Sequence, residues 1–443
     1  MAGPRTAYEL SQSQVTTPAP VVKLFWDLTK QYRNRFGSVL DMGAGDGRFA
    51  IGGKFDRYTG VEIDEKRIAT AKVPPNGEIL KGCVFRHQAG DYDACIGNPP
   101  YARHHDIETS WKDRTVARLQ RELGLALNKH CNLYVYFFCL ALLKASEDGL
   151  VALVIPYEWV SRPSAKALRE YIQQQRWNVS VYRFQSPIFE NVMTTASVSI
   201  VDKARRDGQW KYRDITADYA VVGRRGVADS KNGVLDYAQR GHIWGLRGLS
   251  PGSQKIFTLT EGGRVRAGLS RKDVCPCVTS LKNVPRGLRL LSRVAFQKHF
   301  VESGEKCWLI RSDRKERSNA LNAYLKAVPE EERSTYTCQN QTPWFNYKPH
   351  PVPQVLFSSG FTTYGPKVLI NSMCARAIGS VWGIHAHRKL PLRRLQTYLL
   401  SINFESQVVA HAEKLKKVEV RQLNTVLNSF DDREHRNAWK NAR

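Results

Sequence analysis

Ser38-Val-Leu-Asp41-Met-Gly43-Ala-Gly45-Asp-Gly47 takes an apolar strand directly into a turn with glycine at every second position. Such a turn lets the backbone pass close to a ligand and opens the next segment with its amide groups pointing outward. Alone, it is a common way to end a buried strand. The next strand, Thr59-Gly-Val-Glu62-Ile63-Asp64, ends in acids. Glu62 falls about twenty residues after the glycines, the spacing at which a carboxylate can accept hydrogen bonds from both hydroxyls of a ribose. The two segments together predict a site for a nucleoside-containing cofactor, either a dinucleotide or S-adenosyl-L-methionine.

A third strand, Tyr92 to Gly97, runs into Asn98-Pro99-Pro100-Tyr101. This tetrapeptide has no role in hydride transfer, and it has one in methylating an exocyclic amine. The lone pair of such a nitrogen is delocalised into its ring, so the nitrogen is a poor nucleophile. The Asn98 side-chain oxygen and the Pro99 carbonyl can accept its two N–H bonds and aim the lone pair at a sulfonium methyl. The prolines stiffen the loop and remove two competing donors. Tyr101 offers a ring face for a planar target and for a transient positive charge. The plainer reading is a turn that only ends a strand.

Outward from these segments the pattern alternates. Residues 15–36 predict a helix started by Thr17-Pro18, residues 132–144 a buried helix, and residues 165–175 another. Strands are expected over 150–155, 179–184 and 196–201. This alternation gives an α/β fold with a Rossmann-like, mostly parallel sheet over residues 1–202. Residues 203–232 read as a basic linker. Residues 233–443 read as a second, basic α+β domain, with helices expected over 390–400 and 407–417.

Charge separates the same regions. The 443-residue chain carries a net +26. Residues 1–200 contribute only +5 of this, so +21 falls in the remaining 243 residues. Such an excess implies a polyanionic partner, nucleic acid first, with an anionic membrane surface as its main rival. Nine cysteines are scattered without a framework, and only Cys275-Pro-Cys277 is closely spaced, which predicts neither disulfides nor a metal site. His104-His105 lacks a third ligand at good spacing. No apolar run reaches the length of a membrane span. A cytoplasmic protein without membrane contact is expected. Trp344-Phe345-Asn346-Tyr347 reads as core rather than as a stacking platform.

The motif order resembles the gamma class of DNA adenine-N6 methyltransferases, typified by the Taq enzyme, over roughly residues 13–202. Thr17-Pro18 with Val21-Val22 is similar to the family's first cofactor motif, and Asp41 to Gly47 and Val61 to Asp64 to the next two. Asn132-Leu-Tyr134, Pro156-Tyr-Glu-Trp159 and Pro187-Ile-Phe189 resemble later ones. The resemblance implies a class I S-adenosylmethionine-dependent methyltransferase with Asn98, Pro99, Pro100, Tyr101 and Phe189 as catalytic residues. Phe189 would partner Tyr101 in an aromatic sandwich around a flipped base. Thr17, Asp41, Gly43, Gly45, Glu62, Ile63, Gly82 and Pro100 would bind the cofactor. One departure is Gly82, which stands where the family carries an acid; Asp91 or a backbone carbonyl is the expected substitute.

The implied partner is double-stranded DNA, gripped by the basic half through Arg286, Arg289, Arg293, Arg311, Arg314, Lys315, Arg317, Arg388, Lys389, Arg393 and Arg394. Residues 103–131 are expected to form a loop and helix near that DNA. A monomer is expected, with any cleavage performed by a separate restriction endonuclease. RNA base methylation and protein glutamine methylation are the alternatives on the same fold.

Overall fold

The computed structural model describes residues 15–189, 194–223, 237–387, 389–408, 410–412 and 415–441. The chain forms two compact units, one of residues 1–234 with 409–413 and one of residues 235–408 with 414–443.

The first unit is built on a nine-stranded sheet. Its strands are β1 (Phe36–Met42), β2 (Phe55–Glu62), β3 (Gly77–Lys81), β4 (Tyr92–Gly97), β5 (Ala145–Pro156), β6 (Asn178–Phe184), β7 (Ala196–Asp202), β8 (Trp210–Ile215) and β9 (Val221–Gly223). The spatial order is β3-β2-β1-β4-β5-β7-β6-β8-β9. Strands β3, β2, β1, β4 and β5 are mutually parallel, and β7 runs antiparallel between β5 and β6. The central strands are buried on both faces, as their unbroken Val, Ile, Leu and Ala runs require.

Helix α1 (Ala19–Thr29) covers one face, where Phe25, Trp26 and Leu28 join Val39, Ile96 and Val154. Its indole N–H donates to the Phe49 carbonyl at 3.1 Å, so the largest side chain of the helix is buried without an unmet donor. The other face carries α2 (Thr109–Leu123), α3 (Leu133–Lys144) and α4 (Lys166–Gln174). In α3 every residue but Leu143 is buried, so it behaves as a core helix rather than an amphipathic one. Its terminal Lys144 is also buried. The ammonium donates to the carbonyls of His87, Gln88 and Ala89 at 2.7, 3.1 and 2.9 Å, which offsets its desolvation.

The proposed linker is corrected. Residues 210–223 extend the first sheet as β8 and β9, with β8 parallel to β6. Trp210-Lys-Tyr-Arg-Asp alternates aromatic and charged residues, and Arg183 and Asp214 lock β6 to β8 through paired bonds of 2.9 Å. The basic composition hid a strand whose inner face is aromatic.

The second unit has two four-stranded sheets. One runs β10 (Ile243–Leu246), β18 (Val381–Ala386), β14 (Val355–Ser358), β16 (Val368–Ile370), all antiparallel. The other runs β11 (Thr258–Leu259), β13 (Trp308–Ile310), β12 (Val274–Val278), β17 (Arg376–Ala377). In chain order β15 (Gly360–Phe361) pairs instead with Leu415–Lys417.

That last pairing corrects the helix expected over 407–417. A sheet partner decides the conformation there, against the local Lys and Leu content. Helix α5 (Leu392–Ser401) forms as expected. Helix α6 (Val420–Asn441) was not anticipated, although Leu423, Val426, Leu427 and Phe430 recur at helical spacing and are all buried. Tyr347 lies in the core with its hydroxyl on the Ile310 carbonyl, and Trp344 and Phe345 pack beside it.

Candidate active site

In an open parallel sheet, ligands bind beyond the carboxyl ends of the strands, where the strand order reverses. Here the order reverses between β1 and β4. The glycine turn leaves the end of β1, and Asn98 leaves the end of β4. The two segments named from sequence therefore meet at the switch point of the sheet.

Gly43, Gly45 and Gly47 all have positive φ, at 84°, 59° and 76°. A Cβ added at Gly43 would meet nothing within 4 Å, so its backbone faces open space. Glu62, 1% exposed, holds the turn from beneath. One of its oxygens accepts from the Gly45 amide at 2.8 Å, and the other from the amides of Ile63 and Asp64 at 2.8 and 2.9 Å. Glu62 is thus first an organiser of the loop on which a nucleoside would lie. Ile63 beside it is 41% exposed, an apolar surface suited to a purine face.

Asp41 lies under the turn. One carboxylate oxygen takes the Tyr58 hydroxyl at 2.6 Å, and Oδ1 is buried with no partner. Burial is the main cause that pushes its pKa up to about 7, with the Glu62 and Asp46 charges adding to it and the Tyr58 hydrogen bond opposing it. Gly97 permits this packing, because a Cβ there would stand 2.9 Å from Asp41 Oδ1. Tyr58, Arg48 and the Val15 carbonyl are participants that motif reading did not name. Arg48 pairs with Asp46 and also donates to the Thr17 carbonyl.

Asn98 is the centre of the arrangement. Its Nδ2 donates to the Val15 carbonyl at 3.1 Å and to Thr17 Oγ1 at 3.0 Å. Both donors of the amide are thereby used, which fixes which way it points. Its Oδ1 is buried and accepts nothing. Thr17 is 2% exposed and sits against the Asn98 loop itself.

Tyr101 donates its hydroxyl to the Val154 carbonyl at 3.0 Å, and burial raises its pKa. Its ring meets that of Phe189 edge-on, with centroids 6.0 Å apart and planes at 75°. The two aromatics are brought together, but as an edge-to-face pair rather than as parallel plates. Behind the loop, Asn132 Oδ1 accepts the His104 amide at 3.2 Å, and the Leu133 amide donates to the Ala102 carbonyl at 2.9 Å.

Gly82 follows β3 with its amide on the Glu62 carbonyl at 2.8 Å, and a Cβ on it would meet nothing within 4 Å. Asp91 is exposed and precedes β4, at the end of that strand opposite Asn98. It cannot replace the missing acid. His104 meets the rings of both His105 and His130, but among the described residues no group of three ligands could hold a metal.

A sheet in the order 3-2-1-4-5-7-6, with strand 7 reversed and the site beyond β1 and β4, defines a class I methyltransferase fold. The donor set fits S-adenosyl-L-methionine: an exposed glycine backbone, a fixed acid at the second strand and an apolar residue beside it. The solved structure of the restriction–modification enzyme MmeI in complex with DNA shares this fold, with a TM-score of 0.58 and 13% identity over 93% of this chain and 64% of that one.

Two family models match, the Eco57I restriction-modification methylase over residues 54–189 and the C-terminal domain of the Type II methyltransferase M.Eco57I over residues 247–412. M.AccI of Acinetobacter calcoaceticus, a Type II methyltransferase, is 20% identical across 78% of this chain and 70% of its own length. M.XamI of Xanthomonas campestris pv. amaranthicola, another, is 27% identical, over 42% of this chain and 38% of its own length. Both units thus match one family of restriction–modification methyltransferases, in agreement with the gamma class that the motif order resembles. The chain spans less than half the length of the second of these relatives. Among the described residues no helix is long and apolar enough to cross a membrane.

Proposed function

We propose that this protein transfers the methyl group of S-adenosyl-L-methionine to the N6 amino group of adenine at a defined site in double-stranded DNA. The observation that supports it most is Asn98 Oδ1, a buried acceptor without a partner whose own amide donors are tied down. A buried unmet acceptor costs about 1–3 kcal/mol, so it is tolerated where a substrate donor will meet it.

When bound, the cofactor supplies an electrophilic methyl group on a sulfonium. Asn98 Oδ1 and the Pro99 carbonyl accept the two N–H bonds of the target amine and leave its lone pair directed at that methyl. Pro100 keeps the loop rigid and closes one side of the cofactor cleft. The amine sheds its proton after transfer, so no strong base is needed. An in-line approach is impossible inside a duplex, so the base must leave its stack. Tyr101 and Phe189 receive it by parting from their edge-to-face contact. Gly43, Gly45, Glu62 and Ile63 hold the nucleoside half of the cofactor, and Thr17 and Asp41 hold the loops that carry it. Gly82 leaves the backbone of the β3 end as the surface for the cofactor's adenine.

The basic second unit grips the phosphates. We assign the chain as a monomer acting in the cytoplasm, where its nine free thiols are stable, with cleavage left to a separate endonuclease. The test is transfer of labelled methyl to duplex DNA, structured RNA and protein extract in parallel, with digestion of the product to nucleosides. Label in N6-methyladenine from DNA alone supports the proposal. Label in RNA or in glutamine would replace the substrate, and no label in any of them would refute the activity.

A further inference from the structure

Phosphate contacts hold a methyltransferase on DNA, but something must read base edges, and that reader has to be rigid, exposed and chemically mixed. The segment 292–302 of the second unit has these properties. Ser292 caps it by accepting the Ala295 amide at 3.2 Å. A first turn, Arg293–Phe296, passes into a π-helical turn, Gln297–Val301. Such wide turns are rare and concentrate at functional sites.

One face is anchored. Phe296 and Phe300, each 2% exposed, stack at 5.5 Å, and Trp308 packs edge-on to Phe296 at 5.6 Å. The opposite face is in solvent. Arg293, Val294, Gln297 and Lys298 line a shallow hollow that Glu302 closes. Val294 is 78% exposed, and Leu290 just before the segment is 46% exposed. Neither Arg293 nor Lys298 forms an ion pair among the described residues. A single exposed valine needs no explanation. Apolar groups set between unpaired cations, on a backbone pinned by two stacked phenylalanines, do need one. Cations alone would serve a polyanion without regard to sequence, and an apolar patch alone would suit a protein partner. The combination matches a DNA groove, in which methyl groups and amide-reading edges lie between two phosphate rows.

We propose that the helical segment 293–298 is a base-reading element of this protein, lying in the major groove of duplex DNA. Val294 contacts a thymine methyl, and the Gln297 amide reads an adenine edge. Glu302 accepts from Gln297 Nε2 at 3.2 Å and so orients that amide. Arg293 and Lys298 take the flanking phosphates. This assignment rests on the DNA reading given above.

The test uses the full chain and modification-sensitive sequencing of genomic DNA treated with wild type, Val294→Ala, Gln297→Ala and Lys298→Ala. All three positions are exposed, so equal melting temperatures and equal S-adenosylmethionine binding are expected. Val294→Ala and Gln297→Ala should relax the methylated motif at one or two adjacent positions, lowering discrimination there about 10- to 100-fold. Lys298→Ala should weaken binding evenly across sequences and reduce the salt slope by about one. A wild type with a defined motif and two reader variants that keep it unchanged would overturn this assignment alone. Variants that lose activity equally on all sequences would also overturn it, because they mark grip rather than reading. A wild type that methylates no DNA would overturn both this and the proposed function.

Discussion

The two units of this chain solve different problems with different materials. The first carries little of the charge, a net +5 over residues 1–200, one large sheet and a site organised around single buried atoms. The second carries most of the charge, several small sheets and an exposed surface where no single atom dominates. Transfer to an amine demands a fixed acceptor at hydrogen-bond distance, and only a rigid, dry interior supplies it. Binding a polyanion demands many weak, solvated contacts, each replaceable.

The sharpest way to break this contrast is Asn98→Ala. It should lower kcat at least about 1,000-fold while leaving cofactor and DNA binding within about threefold. Single-turnover kinetics with both binding constants would check it, and retained turnover would remove the first unit's claim to depend on one atom. Phe189→Ala comes next, with a loss of about 10- to 100-fold in kcat/KM from weaker capture of the extruded base. A fluorescent base analogue at the target position reports this directly, and an equal loss of cofactor binding would show that Phe189 serves a different pocket.

Thr17→Val tests the support rather than the acceptor. It removes one of the two bonds that orient the Asn98 amide and should lower kcat about 10-fold with little change in KM. A change in KM alone would place Thr17 in binding only. The smallest effect belongs to the second unit. Arg314→Ala should raise KM only about two- to threefold at low salt and leave kcat unchanged. A loss as large as that of Asn98→Ala would erase the distinction between the units.

What the sequence made legible follows the same division. Strand β4 and its tetrapeptide, the glycine turn and Glu62 were readable because each is a short run whose chemistry depends on adjacent residues. The pairing of Asn98 with Val15 and Thr17 was not, since it joins segments more than 80 residues apart. Tyr58 under Asp41 was equally hidden, being one more aromatic on an alternating strand until its hydroxyl is placed. The loop-organising role of Glu62 was hidden too, since it depends on backbone amides that reach its carboxylate only in the fold. Strand β8 was lost to composition, and residues 407–417 were read by local propensity that a sheet partner overrode. Arg388 lies outside the described residues. In the second unit the long helix α6 carried a clear periodic signal, and the reader segment carried none, because exposure cannot be read from residue type.

The unmet oxygen of Asn98 also bears on how a cycle ends. An unmodified amine brings two N–H bonds to two acceptors. Once methylated it brings one, and the added carbon must sit where a hydrogen bond had been. On the proposed mechanism the pocket then prefers its reactant to its product, which favours release and disfavours a second methylation. On that reading, one buried oxygen both captures the unmodified amine and loosens its hold once the methyl is in place.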